Sequence, residues 1–283
     1  MSAGATAAAM IAFSVVLAPA AKSVPPLPPT TVADEADRII TRYRSSPTPD
    51  VLLVGSSLTF RLLEGYFSPL RVSNLALPGD SPLTGLEIVR RSAAVPRLVL
   101  VESNLLSRPL NKPLLERYSQ PRDQFFFRPI QTAVAYVVSA SSAAQTYIDY
   151  SKLLDLAPQG YNNAAAIDEA AKVFSNSDLD TVIREDAKEL PDLVSALEER
   201  GSKVFLFEMP LPEKIAASHW AEVTRSAAHD AVRQDHWLQL RYPTEELRFT
   251  DHAHLDERSA FIVAQSIKRA IEQPPSEKAS GVE

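Results

Sequence analysis

Val51-Leu52-Leu53-Val54-Gly55-Ser56-Ser57-Leu58-Thr59 begins with four aliphatic residues and ends on small, mostly hydroxyl-bearing ones. An unbroken apolar run of this length reads as a strand buried on both faces, as in a parallel sheet covered by helices. Where such a strand stops, the chain emerges at the carboxyl edge of the sheet, where open α/β folds collect their binding groups. A serine placed there is well sited for chemistry.

Working outward, four more apolar runs punctuate the chain: Val72–Leu77, Leu98–Val101, Val204–Phe207 and Trp237–Leu240. Helical patterns lie between most of them, the signature of repeated βαβ units. Leu83–Ala93 and Thr181–Glu199 are the clearest linking helices. The second is broken or restarted at Pro191, which suits a first helical turn, and stops at Arg200-Gly201. A closing helix is expected over Glu257–Ile271. The expected fold is α/β, a three-layer α/β/α sandwich around a five-stranded parallel sheet. The span 105–178, with Phe125-Phe126-Phe127 and an Ala/Ser-rich stretch, is too long for a simple crossover and reads as a helical insertion or lid. Pro274–Glu283 reads as a solvated tail.

Residues 1–21 are nearly free of charge and mostly apolar, with Ala18-Pro19-Ala20 resembling a small-residue cleavage site. They read as a signal peptide or membrane anchor, although no Lys or Arg precedes the stretch and its alanine content makes it weakly hydrophobic for a span. An unstructured leader is the alternative. Residues 22–35 include Val24-Pro25-Pro26-Leu27-Pro28-Pro29 and read as an extended linker, leaving 36–273 as the folded domain. The expected location is periplasmic or otherwise extracytoplasmic.

Composition removes several classes of function. With 283 residues, 45% of them hydrophobic, the chain can bury a sizeable core. Its 29 basic and 35 acidic residues give a net charge of −6 with no basic stripe, so nucleic acid is not an expected partner. The absence of cysteine excludes thiol nucleophiles, disulfides and thiolate-held metals.

A serine hydroxyl needs a base, and Asp251-His252-Ala253-His254-Leu255 near the other end supplies a candidate. The i, i+3 spacing of Asp251 and His254 lets one short turn present an imidazole together with the carboxylate that fixes its tautomer. Each residue also has an ordinary structural reading: Ser57 as a turn former or helix cap, Asp251 as a turn former, His252 and His254 as polar residues before a helix. The joint occurrence, in order and at a strand end, favours the catalytic set. His219, His229 and His236 are expected at the surface or core edge. Asp251, His252 and His254 could suggest metal ligation, but no further ligand cluster is evident, and neither a metal nor a cofactor is expected. Glu208, after the fourth run, and Arg61 and Arg108 are candidates for lining a substrate cleft.

The chain resembles the SGNH, or GDSL, hydrolase superfamily in four separated blocks. Gly55-Ser56-Ser57-Leu58-Thr59 resembles its Gly-Asp-Ser-x-Thr turn, with Ser56 where Asp is usual. Asn74-Leu75-Ala76-Leu77-Pro78-Gly79 resembles the second block. Val101-Glu102-Ser103-Asn104 stands where the family carries Gly-x-Asn-Asp, without that glycine or Asp, and Asp251-His252-Ala253-His254 matches Asp-x-x-His. The resemblance implies a flavodoxin-like sandwich with Ser57 as nucleophile, Ser56 being the alternative. It further implies His254 as base, Asp251 as its orienter, and an oxyanion hole from Ser57, Gly79 and the Asn104 side chain. The Gly-Ser-Ser variant is similar to the branch that O-acetylates extracytoplasmic polysaccharides such as alginate and cellulose, where a membrane acyltransferase and a polymer synthase complex are partners. The expected activity is O-acetyl transfer to a polysaccharide through an acetyl-serine. The alternatives are a secreted acetylesterase or lipolytic esterase with the same residues, and a non-catalytic polysaccharide-binding or assembly module.

Overall fold

The computed structural model describes residues 31–119 and 149–272. The expected leader, most of the linker, Phe125-Phe126-Phe127 and the C-terminal tail lie outside the described residues. In chain order the elements are α1 (Val32–Ser45), β1 (Val51–Val54), the short α2 (Ser57–Phe60), β2 (Val72–Asn74), α3 (Pro82–Arg90) and β3 (Leu98–Glu102). There follow α4 (Lys112–Ser119), α5 (Ala164–Val173), α6 (Asp180–Ala187), α7 (Leu190–Glu198), β4 (Lys203–Phe207), the short α8 (Glu213–Ala216), α9 (His219–Ala231) and α10 (Glu257–Glu272). α1 starts inside the stretch read as linker; Thr31 caps it, its hydroxyl accepting the Asp34 N–H at 3.0 Å.

The sheet is all parallel, in the order β2-β1-β3-β4. β1 lies at its centre, with Leu53 opposite Asn74 on β2 and Leu100 on β3. Because successive side chains alternate faces, the four aliphatic residues of β1 divide between two cores. Leu52 and Val54 join Val99, Val101, Val204 and Leu206 in a core completed by α1, α3, α6, α7 and α9. Val51 and Leu53 join Leu100 and Phe207 in a second core closed mainly by α10. Both faces are thus covered by helices, which is why β1 reads as a run without polar alternation. Full burial of each such side chain contributes about 1.5–3 kcal/mol, so this strand anchors the domain. The chain passes from β2 to β3 across β1, so the order reverses beside β1 and opens a crevice at the strands' carboxyl ends.

Among the described residues the sheet has four strands rather than the expected five. Trp237 makes a single parallel bridge to Leu206, and the Leu238 N–H donates to the Leu206 carbonyl at 2.9 Å, but the ladder goes no further. The cause lies in where the next backbone groups go. The Arg241 N–H donates to the Ser266 hydroxyl of α10 at 2.9 Å, and that hydroxyl donates back to the Arg241 carbonyl at 2.8 Å. The run is pulled from the sheet edge to a helix, and Gln239 points to solvent in its middle. The break expected near Pro191 is present between α6 and α7, and Gly201 after α7 takes φ +89°, a left-handed conformation suited to glycine. Among the described residues no helix is long and apolar enough to cross a membrane.

Ser266→Ala removes both bonds to Arg241 and is expected to lower stability by about 1–2 kcal/mol, read as a shifted urea midpoint with the far-ultraviolet spectrum unchanged.

Candidate active site

β1 ends at Val54, and the chain turns at once into α2. Ser56 is the N-cap of that helix, its Oγ accepting the Leu58 N–H at 3.2 Å. The same Oγ donates to Glu102 Oε1 at 2.6 Å. Ser56 is therefore fully buried and occupied, whereas Ser57 is half-buried and lines a cleft. Of the two adjacent serines, Ser57 is the one that faces a base.

The base arrives from the opposite end of the chain. A bridge between Phe249 and Leu255 and a bond from the Thr250 N–H to the His254 carbonyl at 2.8 Å close the loop that carries it. Inside the loop, Asp251 Oδ1 accepts the N–H groups of Ala253 and His254, both at 2.8 Å. Asp251 Oδ2 lies 2.8 Å from His254 Nδ1, and His254 Nε2 lies 2.9 Å from Ser57 Oγ. With Nδ1–H donated to the carboxylate, Nε2 presents its lone pair to the serine hydroxyl. The chain of contacts Asp251–His254–Ser57 thus has the connectivity needed to withdraw a proton from a serine. His252, between them, takes no part in it.

Burial is the largest influence on Asp251 and works to raise its carboxyl. The His254 and Ala253 N–H groups, with the His254 ring, outweigh it and hold the carboxyl down at about 2. Asp251 is thereby kept as an anion beside the imidazole. Asn163, just before α5, supports the loop by donating its side-chain amide to the carbonyls of Phe249 at 2.6 Å and Asp251 at 3.0 Å.

The cleft beside Ser57 has a volume of about 490 Å³, within the range of small-molecule sites. Ser57, Asp251 and His254 line it with the apolar Phe60, Pro78 and Val32 and the charged Arg61 and Glu35. Arg61 donates to the Thr250 hydroxyl at 3.3 Å, and Glu35 is paired with Arg38. Gly79, next to Pro78, has φ +79°, a conformation that L side chains rarely adopt. Arg108 is exposed, with Nη1 3.8 Å from the point a Gly79 Cβ would occupy.

Two expected residues lie elsewhere. The Asn104 amide donates to the Met209 carbonyl at 2.9 Å, and its Oδ1 accepts the Met209 N–H at 2.7 Å. It ties the exit of β3 to the chain beyond β4 and is not among the cleft-lining residues. Glu208 forms a two-bond ion pair with Arg225, at 2.6 and 3.0 Å, beside a cavity of about 10 Å³ shared with Asn104 and separate from the serine cleft. Each is instead engaged by a polar partner of its own beside that smaller cavity. The other histidines are held structurally: His219 by Asp180 at 2.8 Å, His236 by Glu198 at 3.0 Å, and His229 stacked on Trp237. Among the described residues no group of three or more His, Asp or Glu could hold a metal ion.

Sequence reasoning missed Glu102, which is fully buried and accepts from Ser56 and Thr59. A signal was present, since a carboxylate closing the apolar run Leu98–Val101 must find donors if it is buried. Asn163 left no comparable trace. No protein-family model matches the chain, and a search of curated proteins finds no match.

Because the folded Asp251 carboxyl lies near 2 and an unfolded one near about 3.9, its contribution to stability is complete above about pH 5 and is lost as pH falls towards 2. The gap in urea midpoint between the wild type and Asp251→Asn is therefore expected to stay constant from about pH 7 to 5 and to narrow between about pH 4 and 2.

Proposed function

We propose that the chain is a serine-dependent acyl-ester enzyme that passes an acetyl group through Ser57 to a hydroxyl of an extracytoplasmic polysaccharide. The observation that carries this reading is the contact of Ser57 Oγ with His254 Nε2 at 2.9 Å, backed by Asp251 at 2.8 Å on Nδ1. A serine hydroxyl is a poor nucleophile at neutral pH unless a neighbouring base takes its proton as the new bond forms.

Ser57 Oγ adds to the ester carbonyl carbon while its proton passes to His254 Nε2. The tetrahedral adduct collapses, and the imidazolium returns that proton to the departing alkoxide. The acyl-Ser57 then meets a second hydroxyl, activated by the same imidazole, and the steps run in reverse to release the new ester and the serine. Asp251 stays ionised throughout and stabilises the imidazolium. By the family resemblance, the main-chain N–H groups of Ser57 and Gly79 receive the oxyanion, each such donor being worth about 3 kcal/mol. Asn104, tied to Met209, is left out of that role.

Support for transfer to a polymer comes from the Gly-Ser-Ser variant and the leader-like N-terminus, both features of the resembled acetylation branch. In this reading the donor comes from a membrane acyltransferase, and a polymer synthase complex presents the acceptor. Arg61 in the cleft and Arg108 beside Gly79 are exposed cations within reach of a polymer or donor. A second reading, hydrolysis by a secreted esterase, uses the same Ser57, His254 and Asp251 contacts with water in place of the sugar hydroxyl.

Mass spectrometry after brief exposure to a chromogenic acetyl ester is expected to show one added acetyl group on the wild type and on Ser56→Ala, and none on Ser57→Ala. Turnover that rises on adding a saccharide indicates transfer, and equal turnover without one indicates the esterase. A wild type with neither adduct nor turnover refutes both.

A further inference from the structure

We infer that Glu102 is the positioning residue of the serine-bearing turn, setting the aim of Ser57 at His254 without touching the substrate. The inference rests on the reading of Ser57 as nucleophile. Glu102 is the last residue of β3, directly alongside β1, and is 0% exposed. Its Oε2 accepts the Ser56 N–H at 2.9 Å, the Thr59 N–H at 3.1 Å and the Thr59 hydroxyl at 2.7 Å, and its Oε1 accepts the Ser56 hydroxyl at 2.6 Å. Among the described residues no Lys, Arg or His pairs with it. All its compensation comes from two residues that bracket Ser57.

That distribution distinguishes a positioning role from simple burial of a charge. A carboxylate recruited only for stability would be served by a cation or by donors scattered over several elements. Here Ser56 precedes the nucleophile and Thr59 follows it by two residues, so fixing both fixes the backbone from which Ser57 Oγ projects. The other end of the turn is held from β2: the Asn74 amide donates to the carbonyls of Thr59 at 2.9 Å and Leu62 at 2.8 Å. Gly55 provides the room, since a Cβ there would lie 2.7 Å from Glu102 Oε2 and 2.5 Å from Thr59 Oγ1. The turn is thus suspended between the two strands that flank β1. Displacement of a reacting group by about 1 Å can cost about 100-fold in rate.

The test compares Glu102→Gln with Glu102→Met, following kcat and KM for a chromogenic acetyl ester, the rate of Ser57 labelling by a fluorophosphonate, and the thermal midpoint. Gln can keep its oxygen on the Ser56 and Thr59 N–H groups and turn its amide to the Ser56 hydroxyl, so it retains the clamp. Met has similar length and no comparable acceptor. Glu102→Gln is expected to label within about 5-fold of the wild type, and folded Glu102→Met about 100-fold more slowly, with kcat reduced alike and KM within about 3-fold. Folded Glu102→Met that labels and turns over at the wild-type rate overturns the inference, as does an equal loss in both variants. If Glu102→Met does not fold, Ser56→Ala combined with Thr59→Val removes two of the four bonds; about 10-fold slower labelling is expected, and a wild-type rate overturns the inference. A wild type that neither labels nor turns over removes the nucleophile reading and this inference together, which separates that failure from the others.

Discussion

A single buried carboxylate organises the centre of this molecule. Glu102 enters the sheet's carboxyl edge from β3 and gathers four donors from the turn that follows β1. Removing a carboxylate from water is costly, and only a full set of short, charge-assisted bonds offsets it. The turn cannot drift without leaving that charge uncompensated. The requirement propagates: Gly55 must lack a side chain, Ser56 must be internal, and the hydroxyl free to face the cleft is the next one along.

The partner group is built by different means. Ser57 and His254 are separated by 197 positions in the chain, and the turn that carries each has its own hydrogen bonds. Asp251 folds its own loop by accepting two backbone N–H groups on one oxygen while the other holds the imidazole. α10, immediately after that loop, packs Phe261 and Val263 into the same core that receives Val51 and Leu53 of β1. The distance between serine and histidine is therefore set by core packing on one face of the sheet. Asn163, just before α5, then binds the loop's outer carbonyls, so the start of that helix bears on the same geometry.

These differences in construction decide what was legible in the sequence. β1 was readable because burial on both faces erases polar alternation, and the Asp251–His254 turn because a three-residue spacing is a local property. The fifth apolar run misled because its strand character depended on Ser266, a residue of α10 with no pattern to announce it. Asn104 and Glu208 lie where ligand-binding residues collect, but Met209 and Arg225 claim their polar atoms, and such partners are visible only in three dimensions. Glu102 is the reverse case. Two of the departures from the resembled motifs, Ser56 in the first block and Glu102 in the third, are hydrogen-bonded to each other at 2.6 Å in the folded chain.

The place where α1 begins has a geometric consequence. Thr31, Val32 and Glu35 form part of the wall of the cleft that contains Ser57, so α1 begins at the rim of that cleft. A molecule entering that cleft passes the first turn of α1, so a change that displaces Thr31 or Val32 reshapes the mouth.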